Sequence, residues 1–421
     1  MSPILTTIAG LAIAAGVTAC DSDASPADGP DQLASSVRDS AGITIVESSR
    51  PAPDSRLDWT VGSEPQVSFG AAMGETEYQL YQVGDATRLA DGRIVVANGG
   101  SNQLLVFDAV GNYLAAWAGQ GDGPGEFRSL ASVHRWAGDS LIAADSQQGR
   151  VSVFDLEGTH GRTTTLTGEA GAALSSISSD PIAHTVMDVL PDNSMLTRSL
   201  GGYQTTGFWR WDHTYALIGA DWGDGISLGE YPGPEIYSDS YQEGRMIYVL
   251  PLRHPFGKNT FTAAWGDLVA IGRNETYEIR AFASDGSLAR IVRRDHATSA
   301  PTQEQLDAHF RERFANLPEE QRTSRLELAA NVPMVETFPA YAGLEADALG
   351  YLWVGEFEPP GTEGGKPVWT VFDPEGRARG FVETPSGLTI YEIGEDYVLG
   401  KRTGELDIES VELWALARSA N

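Results

Sequence analysis

The sequence predicts an all-β protein, a six-bladed β-propeller with a helical insertion between blades four and five. Two observations predict it. A unit of short apolar bursts separated by tight turns recurs along the chain, and a strand-like segment with no partner of its own precedes the first unit. The clearest copies are Ala86 to Ala118 and Ser132 to Leu166. Superposing Ile94 on Leu141 brings Val106-Phe107-Asp108 onto Val153-Phe154-Asp155 without a gap. Looser copies start their second bursts at Met195, Leu268, Leu352 and Val398. Each unit has the length of a four-stranded blade plus variable loops.

One such sheet cannot hide both faces, whereas sheets packed face to face around an axis can. A seven-bladed ring and a β-sandwich are the alternatives. The Asp-x-x-Gly of VFDAVG, VFDLEG and VFDPEG suits the turn between the outer two strands of a blade. Asp caps that turn, and Gly takes the positive φ. The orphan segment LDWTVGSEPQVSFG, residues 57–70, is expected to complete the last blade and so close the ring. Residues 43–46 (ITIV) are expected to add an edge strand. Residues 302–331 break the strand pattern. Thr302 and Gln305 fit a capping box, Leu306, Phe310, Phe314 and Leu317 form one apolar stripe, and Pro318 can start a second helix. This helical hairpin reads as a flap packed on the ring, or as a lid or docking arm.

Composition bounds the function. The chain has 421 residues, with 58 Asp and Glu against 29 Lys and Arg and a net charge of -29. Such a surface repels phosphate backbones, so nucleic acid is not an expected partner. A single cysteine rules out an internal disulfide and a Cys-based zinc site. Residues 1–20 read as a lipoprotein-type signal peptide. An apolar run from Ile4 to Ala19 ends in Val17-Thr18-Ala19-Cys20, which resembles a bacterial lipobox. That resemblance implies lipidation at Cys20. Residues 21–40 are rich in Asp, Ser, Pro, Ala and Gly and read as a flexible linker. The propeller then occupies residues 41–421. Together these predict a monomer in the cell envelope, periplasmic or extracellular, lipid-anchored and touching membrane only through the anchor.

Gly119-Gln120-Gly121-Asp122-Gly123-Pro124-Gly125-Glu126-Phe127 lies between two units. With the flanking RIVVAN…LLVFDAVG and LIAAD…RVSVFDLEG, it resembles the inter-blade linker of NHL-type six-bladed propellers. The resemblance is strong over residues 80–160, moderate over 340–415 and weak between. Some six-bladed relatives are zinc-binding lyases with histidines at the channel, and others are calcium-dependent lactonases with carboxylates and asparagines there. It therefore implies an alternative in which calcium or zinc serves a hydrolase or lyase.

No nucleophile elbow, His-x-x-x-His pair or phosphate loop is present. The histidines are His134, His160, His184, His213, His254, His296 and His309. Of these, His134 and His184 fall near innermost strands. Aligning the repeats places Thr87, His134, Asp188, Glu345 and Tyr391 at equivalent inner positions. Arg88, Arg135 and Glu392 fall one step on, facing the other way or toward the mouth. Asp145 and Glu356 fall at the ends of second strands. His134, Asp145, Asp188, Glu345 and Glu356 are thus the candidate ligand or metal groups at the channel mouth. The competing reading makes them rim residues of an acidic protein. Trp209, Trp211, Trp222, Tyr231, Tyr237, Tyr241 and Tyr248, with Asp221, Asp224, Glu230 and Glu235, form a second candidate binding surface for a sugar or peptide. No catalytic residue stands out. The leading expectation is a binding or interaction module for a protein, peptide or glycan, with no cofactor.

Overall fold

A computed structural model describes residues 34–166, 184–199, 206–223, 225–243, 246–360, 365–404 and 407–418, without the side chains of 241–250. The expected signal peptide with Cys20, and Asp224, lie outside these residues. Each repeat folds into an antiparallel meander. The innermost strands are Val83–Arg88, Leu130–Trp136, His184–Val189, Thr260–Trp265, Gly343–Ala346 and Leu388–Ile393. Each lies beside the next, and the last lies beside the first, so the ring is closed.

Alternation of side chains explains why the central strands read as unbroken apolar runs. In blade one, Ile94, Val96, Leu105 and Phe107 pack against Tyr397, Leu399, Val411 and Leu413 of blade six. The intervening Val95, Ala97, Leu104 and Val106 pack against Val133, Leu141 and Phe154 of blade two. A strand buried on both faces has no polar side to show. Among the described residues, such a core fills each of the six interfaces between neighbouring blades.

The orphan segment closes the ring as expected. Trp59–Val61 and Val67–Phe69 both pair with the C-terminal strand Glu409–Arg418, with Trp59 opposite Arg418 and Phe69 opposite Val411. The Arg418 guanidinium lies 4.5 Å from the centre of the Trp59 ring and 2.8 Å from Asp347 of blade five. The Asp-x-x-Gly turns also behave as read. Asp108 accepts from the N–H groups of Val110 and Asn112, and Gly111 takes φ +90°.

Residues 43–46 do add a strand to blade four, within Ile43–Ser48, which runs parallel to the outer strand Leu288–Arg294 but is itself covered by Ser35–Ser40 and so is not the edge. The linker expected over 21–40 ends sooner, because Ser35–Ser40 pairs along all of Ile43–Ser48. Its side chains are exposed, so the ladder of main-chain hydrogen bonds holds it rather than burial. Polar composition therefore misread these residues as linker.

The helical insertion is α1 (Gln303–Arg313) and α2 (Glu319–Ala329), placed between blades four and five. Thr302 and Gln305 make the reciprocal capping box, and Pro318 is the N-cap of α2. Leu306, Phe310 and Phe314 bury against Leu252 and Phe256, making a core separate from the ring. Leu252 belongs to an extra three-stranded sheet of Gly207–Trp209, Ile236–Glu243 and Met246–Arg253. All three inserted segments leave the meanders at second-to-third-strand or blade-to-blade connections. In an up-and-down propeller these connections share one face, so the insertions build a cap there. No helix among the described residues is long and apolar enough to cross a membrane.

Candidate axial binding site

The C-terminal halves of the innermost strands and their following turns line a cavity of about 450 Å³ on the axis. It opens on the face opposite the cap. Thr87, His134, Asp188, Glu345 and Tyr391, which the repeat alignment placed together, all line it. Asp85 and Glu392 join them.

Local backbone irregularities aim the acids. The ladder between the first two strands skips a residue at Gly84 in blade one, at Met187 in blade three and at Tyr391 in blade six. Each bulge directly precedes an axial acid, namely Asp85, Asp188 and Glu392. A bulge turns the following side chain and bends the strand. At Gly84 the neighbouring inner strand approaches so closely that a Cβ would lie 2.2 Å from the Ala131 carbonyl oxygen.

Two acids have the same local role. Asp85 accepts from its neighbour Ala86 N–H at 2.8 Å and from Val133 N–H of blade two at 3.1 Å. Asp188 accepts from Val189 N–H and from Ala264 N–H of blade four, both at 2.8 Å. Both thus tie one inner strand to the next. Glu392 ties blade six to blade one by accepting from Arg88 N–H at 3.1 Å and the Thr87 hydroxyl at 2.8 Å. It also accepts from Arg135 at 2.9 Å and from the Tyr397 hydroxyl.

Glu345 differs. Among the described residues its carboxyl makes no hydrogen bond or ion pair. Burial raises its pKa well above the usual carboxylate range, and the charges of Asp188 and Asp85 push it further. Burial likewise raises Asp85, against the pull of its two backbone N–H partners. His134 is held toward its neutral form by burial, with Asp188 and Glu392 acting in the opposite direction. Its Nδ1 lies 3.7 Å from Asp85 Oδ2, and its Nε2, shut off from solvent, has no partner. At the rim, Trp136 donates its indole N–H to the Asn193 carbonyl and packs edge-on against Trp222 at 5.6 Å.

The structure separates the other two candidates from the axis. Asp145 is 1% exposed and accepts from the backbone N–H groups of Arg128, Gln147 and Gln148. Glu356 accepts from Arg294, Thr370 and Tyr277, locking blade four to blade five. Both are structural because the second strand ends away from the axis. His184, the other inner-strand histidine, begins its strand at the far end and does not line the cavity. In the aromatic cluster, Trp209 stacks at 4.6 Å on Trp211, and their indole N–H groups are taken by Ser238 and His213. Those rings build the cap.

Calcium or zinc needs several donors around one point. No three His, Cys, Asp or Glu side chains among the described residues meet that condition.

A family model described as a 6-bladed beta-propeller, DUF5128, matches residues 77–175. The fold is a six-bladed β-propeller. Solved structures similar to this propeller include a Bacteroides fragilis protein whose name proposes export, at 11% identity and TM-score 0.46, covering 89% of this chain and 100% of that one. A DUF4221 family member from Bacteroides vulgatus has 9% identity and TM-score 0.47, covering 86% and 99%. Virginiamycin B lyase from Staphylococcus aureus, solved with quinupristin, has 9% identity and TM-score 0.38, covering 84% and 88%. No curated protein matches the sequence of this propeller.

Proposed function

We propose that this propeller is a binding module that takes a small polar ligand in its axial cavity. One observation carries the reading. Glu345 lines a cavity the size of a small molecule, and among the described residues no protein group bonds to its carboxyl. A carboxylate held among other acids with no protein donor ionises at a cost, and a ligand that donates to it relieves that cost. Ligand-sized cavities with a few convergent polar groups are where small molecules bind.

The rest of the proposal comes from the N-terminal sequence. Ile4 to Cys20 and the polar segment after it support export and a lipid anchor on Cys20, which would hold the propeller at the envelope as a monomer. The metal-dependent hydrolase or lyase has no supporting geometry at the axis. A thermal-shift screen of polar metabolite-sized compounds tests the binding reading. Hits are expected to raise the melting temperature of the unaltered protein, and to lose that effect in Glu345→Gln. Hits that act equally on the variant would place binding elsewhere.

A further inference from the structure

Resting on the cavity as a binding site, we infer that its ligand is a small organic cation, an amine or guanidinium held by Glu345.

The charge balance comes first. Asp85, Asp188, Glu345, Asp347 and Glu392 line the cavity, with Asp347 paired to Arg418, and among the described residues the one lining cation is Arg135, already bonded to Glu392. A neutral ligand leaves that imbalance in place, and an anion deepens it. Low-dielectric surroundings make the repulsion larger than it would be in water. Burial raises the pKa values of Asp85 and Glu345 first, and the neighbouring carboxylates push them further.

Hydrogen-bonding capacity points the same way. Glu345 is an acceptor without a donor when ionised. His134 Nδ1 faces Asp85 Oδ2, which favours the tautomer protonated at Nδ1. Nε2, closed to solvent, is out of reach of a ligand in the cavity. An unpaired carboxylate calls for a ligand rich in N–H donors. An ammonium or guanidinium supplies three or five, and it carries the positive charge as well.

Size selects between cations. An ion bound directly needs its oxygens at about 2.0–2.6 Å, and no three such groups converge here among the described residues. A cavity of about 450 Å³ instead suits a carbon frame bearing the charge.

Isothermal titration of the purified protein tests this. The probes are agmatine and spermidine, with choline as a cation lacking N–H, glucose as a neutral probe, glutamate as an anionic one and calcium chloride as a bare ion. Agmatine or spermidine is expected to bind, with choline weaker. Glu345→Gln, which keeps the side-chain shape, is expected to weaken the amine roughly tenfold or more. His134→Gln, at a side chain that faces Asp85, is expected to leave binding nearly unchanged. Glucose or calcium binding that depends on Glu345, with no amine binding, overturns the organic cation but keeps the cavity as a site. Binding unaffected by Glu345→Gln overturns the cavity as well. Absence of agmatine and spermidine binding in a folded protein overturns the inference.

Discussion

Glu345 shows how one residue couples stability to function. Its folded pKa lies above the ordinary value of 4.5, so the folded state holds its proton more tightly than the unfolded chain does. Stability from this group is complete below about pH 4.5 and is lost as pH rises toward the folded pKa. Asp85 acts in the same direction. Glu345→Gln removes the group that must ionise. The variant is expected to be more stable than the parent at pH 8, by about 1.4 kcal/mol for each unit of elevation, and to converge with it near pH 4. Denaturant unfolding across that range measures the difference. An equal or lower stability of the variant at pH 8 would show that Glu345 is satisfied in the folded protein. A residue that costs stability where it stands is the pattern expected of a functional group.

The sequence showed which residues share the inner ring. Thr87, His134, Asp188, Glu345 and Tyr391 align because the repeats do, and a side-chain period of two carries them to one surface. It did not show what the bulges do. A skipped residue at Gly84 or Tyr391 shifts register by one, so Asp85 went unnoticed and the direction of Glu392 stayed open between two faces. The acids in VGDATR and LTIYEI, lone charges within inner strands, were the available signal. Asp145 and Glu356 misled for the opposite reason. A carboxylate that caps a turn or pairs with a buried arginine looks, in sequence, like one that awaits a ligand.

Among the elements, the helical pair α1 and α2 was the most legible, since capping box, apolar stripe and Pro318 are all local signals. Its packing was not legible, because the partner surface lies in an insertion from another blade. Phe310 is 2% exposed and sits in the core shared with Phe256 and Leu252. Phe310→Ala is expected to cost about 3–5 kcal/mol, concentrated in the cap. Hydrogen exchange should therefore quicken in Gln303–Ala329 while the central strands of the ring keep their protection. Equal loss of protection in both would show that cap and ring unfold as one unit.

At the scale of the whole molecule, closure of the ring is what makes the cavity. Six inner strands must meet around one axis before Asp85, His134, Asp188 and Glu345 can face each other. The clasp that brings first and last blades together joins residues far apart in sequence, Trp59 with Arg418 and Val67 with Leu413. Such long-range pairing carries a loop-closure cost that the inter-blade cores offset. The carboxylates contribute to the same closure, since Asp85, Asp188 and Glu392 each bond the backbone of a neighbouring blade. Those acids, with Asp347 on Arg418, serve the ring, and Glu345 is left for a ligand. A crystal structure of the protein grown with agmatine tests that division most directly. The account predicts density on the axis within hydrogen-bond distance of Glu345, with the Asp85 and Asp188 bridges intact. An axis holding only water at an agmatine concentration that saturates the titration would contradict it.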